Sequence, residues 1–259
     1  MIIKLKLENL FTKHKKMKKT IGILFAVLLL ATSVNLKAKS YTENNFVKVA
    51  NDERTVDEFN GIAATGPITV VVTIGDKQGC RLEGDAEAIA TIITEVKGNI
   101  LIIRPQTSVM SWSKKYEDKK VTIYVSATEL ASLTMSGSGS MVVNGKVTTG
   151  SLTANLSGSG SLKLNADVDD LSCVMSGSGS VNIAGTATTA NILLSSSGAF
   201  KGNNLTSENV TAKISGSGTI TIKANKSLGA LISGSGHVNY SGNATVEQTV
   251  IGSGRVRKI

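Results

Sequence analysis

Ser136-Gly137-Ser138-Gly139-Ser140 comes back six more times along the chain, in pentads that begin at residues 157, 176, 195, 215, 233 and 251. Successive starts lie 21, 19, 19, 20, 18 and 18 residues apart. A flexible Gly/Ser linker has no reason to keep such a period, whereas stacked coils do. The glycines that recur are Gly137 and Gly139, Gly158 and Gly160, Gly177 and Gly179, Gly198 alone, Gly216 and Gly218, Gly234 and Gly236, and Gly252 and Gly254. They read as structural corners. A sharp bend between stacked coils brings backbones so close that a Cβ would obstruct them. Copy four, Ser195-Ser196-Ser197-Gly198-Ala199, keeps only the second glycine, which predicts that Gly139 and its equivalents matter more than Gly137 and its equivalents.

Apolar residues alternate on both sides of each pentad, so each copy supplies two short strands. Before the bend the inward column runs Met135, Leu156, Met175, Leu194, Ile214, Ile232, Val250. After it runs Met141, Leu162, Val181, Phe200, Ile220, Val238, Val256. Gln248 breaks the companion column in the last copy, where a polar cap is expected. Outward positions such as Lys163, Asn182, Lys201 and Arg257 are polar or basic. Only ten residues are Phe, Trp or Tyr, so aliphatic side chains must fill the core. The fold class is all-β, a β-solenoid with coils of 18–21 residues. A second turn, marked by Asn144-Gly145, Asn165-Ala166 and Ala184-Gly185, should take positive φ at Asn and Gly.

Residues 131–259 form the seven-copy repeat. Residues 1–38 read as a signal peptide, with Met17 as a candidate true start, a basic stretch and an apolar run from Ile21 to Ala31 that is short for a membrane span. That segment holds eight lysines, and beyond it 20 basic residues face 18 acidic ones. The high isoelectric point therefore belongs mostly to the leader, and nucleic acid is not an expected partner. Residues 39–54 are a polar lead-in. Cys80 and Cys173 read as buried thiols.

Residues 55–130 alternate strand-like runs with one stretch, Asp85 to Val96, whose apolar residues at 86, 89, 92, 93 and 96 predict a helix capped by Asp85 and stopped at Gly98. They read as N-terminal coils continuous with the repeat. Between two of their strands, residues 105–120 carry the only tryptophan of the chain. Trp112, Lys114, Lys115 and Tyr116 in an exposed loop would offer aromatic faces and cations to a ligand. The alternative is a solvated insertion whose tryptophan covers the first coil.

No catalytic residue, cofactor site or metal site is expected. None of the Gly-x-Gly pentads continues into a phosphate loop or opens a helix, and none has the aspartate of calcium-binding solenoid repeats. Serine catalysis needs a base, and the histidines are His14, in the leader, and His237, beside a corner. The one local acidic group is Asp167, Asp169 and Asp170.

The corners, the Phe59-Asn-Gly-Ile entry, the Val70-Val-Val-Thr-Ile strand and the Leu101-Ile-Ile run together resemble the bacterial "putative auto-transporter adhesin, head GIN domain" family, also called DUF2807, common in Bacteroidetes. The resemblance covers residues 55–259. It implies a right-handed parallel β-helix, an exported location and a role in adhesion, and it brings no catalytic residues. The expected function is a non-enzymatic exported β-solenoid presenting a binding surface, as an adhesin or cell-envelope scaffold, in the periplasm, at the outer membrane surface or outside the cell. Its partner would be an envelope component, a carbohydrate or a protein. A polysaccharide-processing β-helix enzyme using the aspartates is one alternative. A homo-oligomeric, self-assembling unit joined through strand edges of its last coil is another.

Overall fold

Met135 lies beside Leu156, Leu156 beside Met175, and Met175 beside Leu194, each pair in parallel register on adjacent coils. The column continues through Ile214 and Ile232 to Val250. On the far side of the bend Met141, Leu162, Val181, Phe200, Ile220, Val238 and Val256 stack in the same way. The first six members of each column are at most 2% exposed. Burying an aliphatic side chain of this size contributes about 1.5–3 kcal/mol, so the two columns are the main source of cohesion between coils. Val250 and Gln248 are exposed at the last coil, as the polar break in the sequence suggests.

The computed structural model describes residues 49–259. The leader and most of the lead-in lie outside the described residues. The repeat consists of β8 (Ser132–Gly137), β9 (Ser140–Gly158), β10 (Ser161–Ser176), β11 (Ser180–Ser196), β12 (Ala199–Gly216), β13 (Thr219–Gly234), β14 (His237–Ser241), β15 (Thr245–Ile251) and β16 (Arg255–Lys258). β9 alone has 19 residues, which would span about 63 Å if straight. It and its neighbours bend instead. In β10 the inward residues run Leu162, Leu164, Ala166 and Val168, then Leu171, Cys173 and Met175. The alternation slips at Asp169-Asp170, so each coil has a short third side between two bends, which the two-strand reading did not include. At the first of these bends Gly145, Gly185 and Gly242 take φ of +95°, +111° and +93°. The asparagines expected to share that role do not, because the only non-glycine residue with positive φ among the described residues is Ser196.

The N-terminal coils belong to the same sheet, but not in chain order. β2 (Gly61–Thr65) lies between β6 (Ile100–Pro105) and β8, and β3 (Thr69–Ile74) lies between β7 (Val121–Ala127) and β9. The coil made first in sequence is thus second in the stack, and residues 100–127 form the coil outside it. Antiparallel strands finish that end: β4 (Gly79–Asp85) pairs with β7, β1 (Val49–Arg54) with β4, and β5 (Ile92–Lys97) with β6.

Two expectations are corrected here. The helix α1 covers only Ala86–Ala90; Asp85 caps it as expected, accepting from the Glu87 and Ala88 amides. Ile92, Ile93, Thr94 and Val96 are β-branched and continue as strand, and Gly98, at φ +60°, turns the hairpin between β5 and β6 rather than ending a helix. The lead-in is also partly ordered. Polar Val49–Arg54 pairs along β4, and the Arg54 guanidinium donates to the Ile89 carbonyl at 3.0 Å and to Thr94 Oγ1 at 3.1 Å.

Candidate functional site

Residues 105–120 do not form an exposed aromatic loop. Val109–Lys115 is a helix, α2, with Ser108 as its N-cap. Trp112 is 2% exposed and Tyr116 5% exposed, with ring centroids 5.2 Å apart. The indole N–H donates to Thr91 Oγ1 at 2.8 Å. The aromatic pair is part of the core at the N-terminal end and offers no ring face to a ligand. Lys114 and Lys115 stay exposed. Lys115 bonds Glu87 at 2.8 Å and lies 4.9 Å from the Tyr116 ring centroid. These contacts, the Glu87 carboxylate first, hold its ammonium above the usual lysine range. Lys119 in turn bonds Asp85 at 2.9 Å, which holds that carboxyl below its ordinary value. Two ion pairs, Lys115–Glu87 and Lys119–Asp85, thus tie this end together.

The serine corners form a second surface. Gly160 N–H donates to the Gly137 carbonyl at 2.9 Å, and Ser161 N–H to the Gly139 carbonyl at 3.0 Å. Gly218 and Thr219 repeat the pattern on Ser196 and Gly198, both at 3.0 Å. Backbone groups, not the central serine hydroxyls, therefore join corner to corner. Those hydroxyls face outward: Ser138, Ser159, Ser178, Ser197, Ser217 and Ser235 are all exposed. From the second copy on, both glycines of a pentad lie against a carbonyl of the neighbouring coil, a Cβ on Gly252 meeting Gly234 O at 2.5 Å, and the first has a further reason to be glycine. The first takes positive φ, from +106° at Gly158 to +131° at Gly216. The second sits over a carbonyl, so that a Cβ on Gly254 would lie 2.6 Å from Gly236 O.

A third surface follows the short side of the coils. An open groove of about 610 Å³ crosses five coils there, walled by Thr148, Asp167, Asp169, Thr188, Glu208 and Asn225 among others. Asp167 accepts from Thr186 Oγ1 at 2.5 Å and from Lys146 Nζ at 3.0 Å. The Thr186 hydroxyl first, then the lysine, keep its carboxyl below the ordinary aspartate range. Asp169 borders the same groove; Asp170 is exposed outside its lining. No three acidic, histidine or cysteine side chains converge on a possible metal position among the described residues. His237 is exposed beside Arg255, on a different side of the coil. Both cysteines are free and buried. Burial pushes the Cys80 thiol up to about 11 and the Cys173 thiol to about 12.

Residues 58–244 match the family described as "Putative auto-transporter adhesin, head GIN domain". The chain belongs to this family. Among solved structures it is similar to a putative adhesin from Bacteroides fragilis, with 25% identity and a TM-score of 0.71 over 82% of this chain and 97% of that one. A putative lipid binding protein from Parabacteroides distasonis (22% identity, TM-score 0.64) and a putative adhesin from Parabacteroides merdae (20% identity, TM-score 0.63) share the fold, each over 82% of this chain and 96% of their own. No curated protein matches. No helix among the described residues is long and apolar enough to cross a membrane.

Proposed function

We propose that this protein is an exported, non-enzymatic adhesin-type module that holds a rigid surface out to a partner in the cell envelope or beyond it. The observation that carries the reading is the open groove across five coils, where hydroxyls and carboxylates are spaced by the coil repeat and fixed by the backbone. Such a wall suits hydrogen bonding to a hydrophilic chain such as a carbohydrate. Its aspartate with the strongest contacts is already engaged by Thr186 and Lys146 and has no histidine beside it. Membership of the adhesin-named family and its structural relatives supports the same reading.

The test is a polysaccharide panel applied to residues 47–259, the compact unit that contains every described element. Binding without turnover is the expected result. Turnover abolished by Asp167→Asn or Asp169→Asn would replace the adhesin reading with a polysaccharide-processing enzyme.

A further inference from the structure

The strand that follows each serine corner carries its outward side chains on one face of the rod. That face is made of residues 140–144, 161–165, 180–184, 199–203, 219–223, 237–241 and 255–258, and not one of them is Asp or Glu. Lys163, Lys201, Lys223, Arg255 and Arg257 all stand exposed on it. None of these five cations is in an ion pair among the described residues, whereas Lys115 and Lys119 of the cap are. The sequence beyond residue 38 is nearly balanced, with 20 basic and 18 acidic residues, so the positive face is a segregation of charge and not an excess of it. Three of the five acidic side chains of the repeat, Asp167, Asp169 and Glu208, border the groove on the short side instead, and the other two, Asp170 and Glu247, also lie off the positive face.

At the last two coils the positive face becomes concave. Arg255 pairs in register with His237 and Arg257 with Asn239, and these four side chains line a cavity of about 240 Å³. Two guanidiniums two residues apart project from the same side of β16. Each presents a planar fork that matches the oxygens of a carboxylate or sulfate. From Arg257 the face continues through Asn239, Thr221, Lys201 and Asn182 to Lys163, one residue per coil. Five coil steps span about 24 Å.

We infer that this face is a docking track for an acidic polysaccharide, with the Arg255/Arg257 cavity taking one of its anionic groups. This inference rests on the reading of the protein as a binding surface and adds to the groove a second face with its own ligand class. The complement of five unpaired cations on a rigid strip is an extended polyanion. A hydrophilic polymer fits better than a lipid surface, because amides and hydroxyls separate the cations and the face has no exposed large apolar side chain to enter a bilayer.

The experiment measures binding of residues 47–259 to heparin as a sulfated probe, polygalacturonate as a carboxylated one, dextran as a neutral one, and vesicles containing phosphatidylglycerol. Both acidic polymers should bind with salt-sensitive affinity and dextran should bind at least about tenfold more weakly. The triple variant Lys201→Ala/Arg255→Ala/Arg257→Ala should lose about tenfold or more in affinity for the acidic polymers at an unchanged melting temperature. Lys213→Ala, on the strand before the corner, should bind as the parent does. Retention of full affinity by the triple variant overturns the track, and so does tighter binding to the vesicles than to either polymer. If dextran or another neutral glycan binds and the acidic polymers do not, the track is wrong while the binding-surface reading survives. If no polymer binds at all, both fall.

Discussion

Ser196 holds, at φ 135°, the backbone conformation that Gly216 holds at φ 131° one coil above it, and the two are register partners. Copy four thus does not escape the bend by dropping its first glycine; it makes the same bend with a residue that resists it. A side chain in this region costs about 1–3 kcal/mol. Ser196→Gly is expected to raise stability by about 1 kcal/mol after the added flexibility of the unfolded glycine is subtracted. An unchanged or lower melting temperature would show that the serine is not strained there.

The first corner separates the two roles of its glycines. A Cβ on Gly137 would meet nothing closer than 3.3 Å, but its φ is +108°; a Cβ on Gly139 would lie 2.6 Å from Gly66 O and closer still to Ile68 O. Gly137→Ala should cost about 1–2 kcal/mol as backbone strain, and Gly139→Ala about 3 kcal/mol because a coil-to-coil backbone contact must open. Denaturant midpoints of the two variants would check the order.

Trp112 closes the N-terminal end. Its fluorescence should be blue-shifted and poorly quenched by iodide in the native protein, and Trp112→Ala should cost about 3–5 kcal/mol. Ready quenching in the folded state would put the ring outside.

The thiols predict a loss of stability at alkaline pH. Both folded values lie above the ordinary thiol value of 9. Below pH 9 the thiols are neutral in both states and their contribution is complete. Above it the unfolded thiols ionise first, so stability falls as pH rises toward about 11 for Cys80 and about 12 for Cys173. The slope is about 1.4 kcal/mol per pH unit for each thiol. Urea midpoints between pH 9 and 11 should fall less steeply in Cys80→Ala/Cys173→Ala than in the parent, and neither native thiol should react with Ellman's reagent at pH 8.

The inward columns were legible because every corner resets the register, so the parity of Met135 or Phe200 could be counted from the nearest glycine. The short third side was not, because Ala166, Ala187 and Ser207 are small or polar and make no apolar pattern of their own. Residues 86–96 misled for the opposite reason: their spacing fits a helix, and only the β-branched content of Ile92–Val96 tells against it. For Trp112 the sequence left two readings open, a ligand-facing loop and a tryptophan covering the first coil, and its buried ring agrees with the second; the lysines around it kept the first open. The positive face was visible only piecemeal, as a basic residue here and there, because the neighbouring coils that gather Lys201 and Arg257 onto one strip are about twenty residues apart in sequence.

The interleaving of β2 and β3 between later strands makes the two ends of the molecule mechanically unlike. Pulled from the C-terminal end, the repeat coils should peel one at a time, each freeing about 65–70 Å of chain. That staircase should stop near Ser132, because the next coil is clamped between residues 100–127 on one side and the repeat on the other. A tether attached beyond β16 would therefore pay out length under load in even steps while the capped end kept its shape.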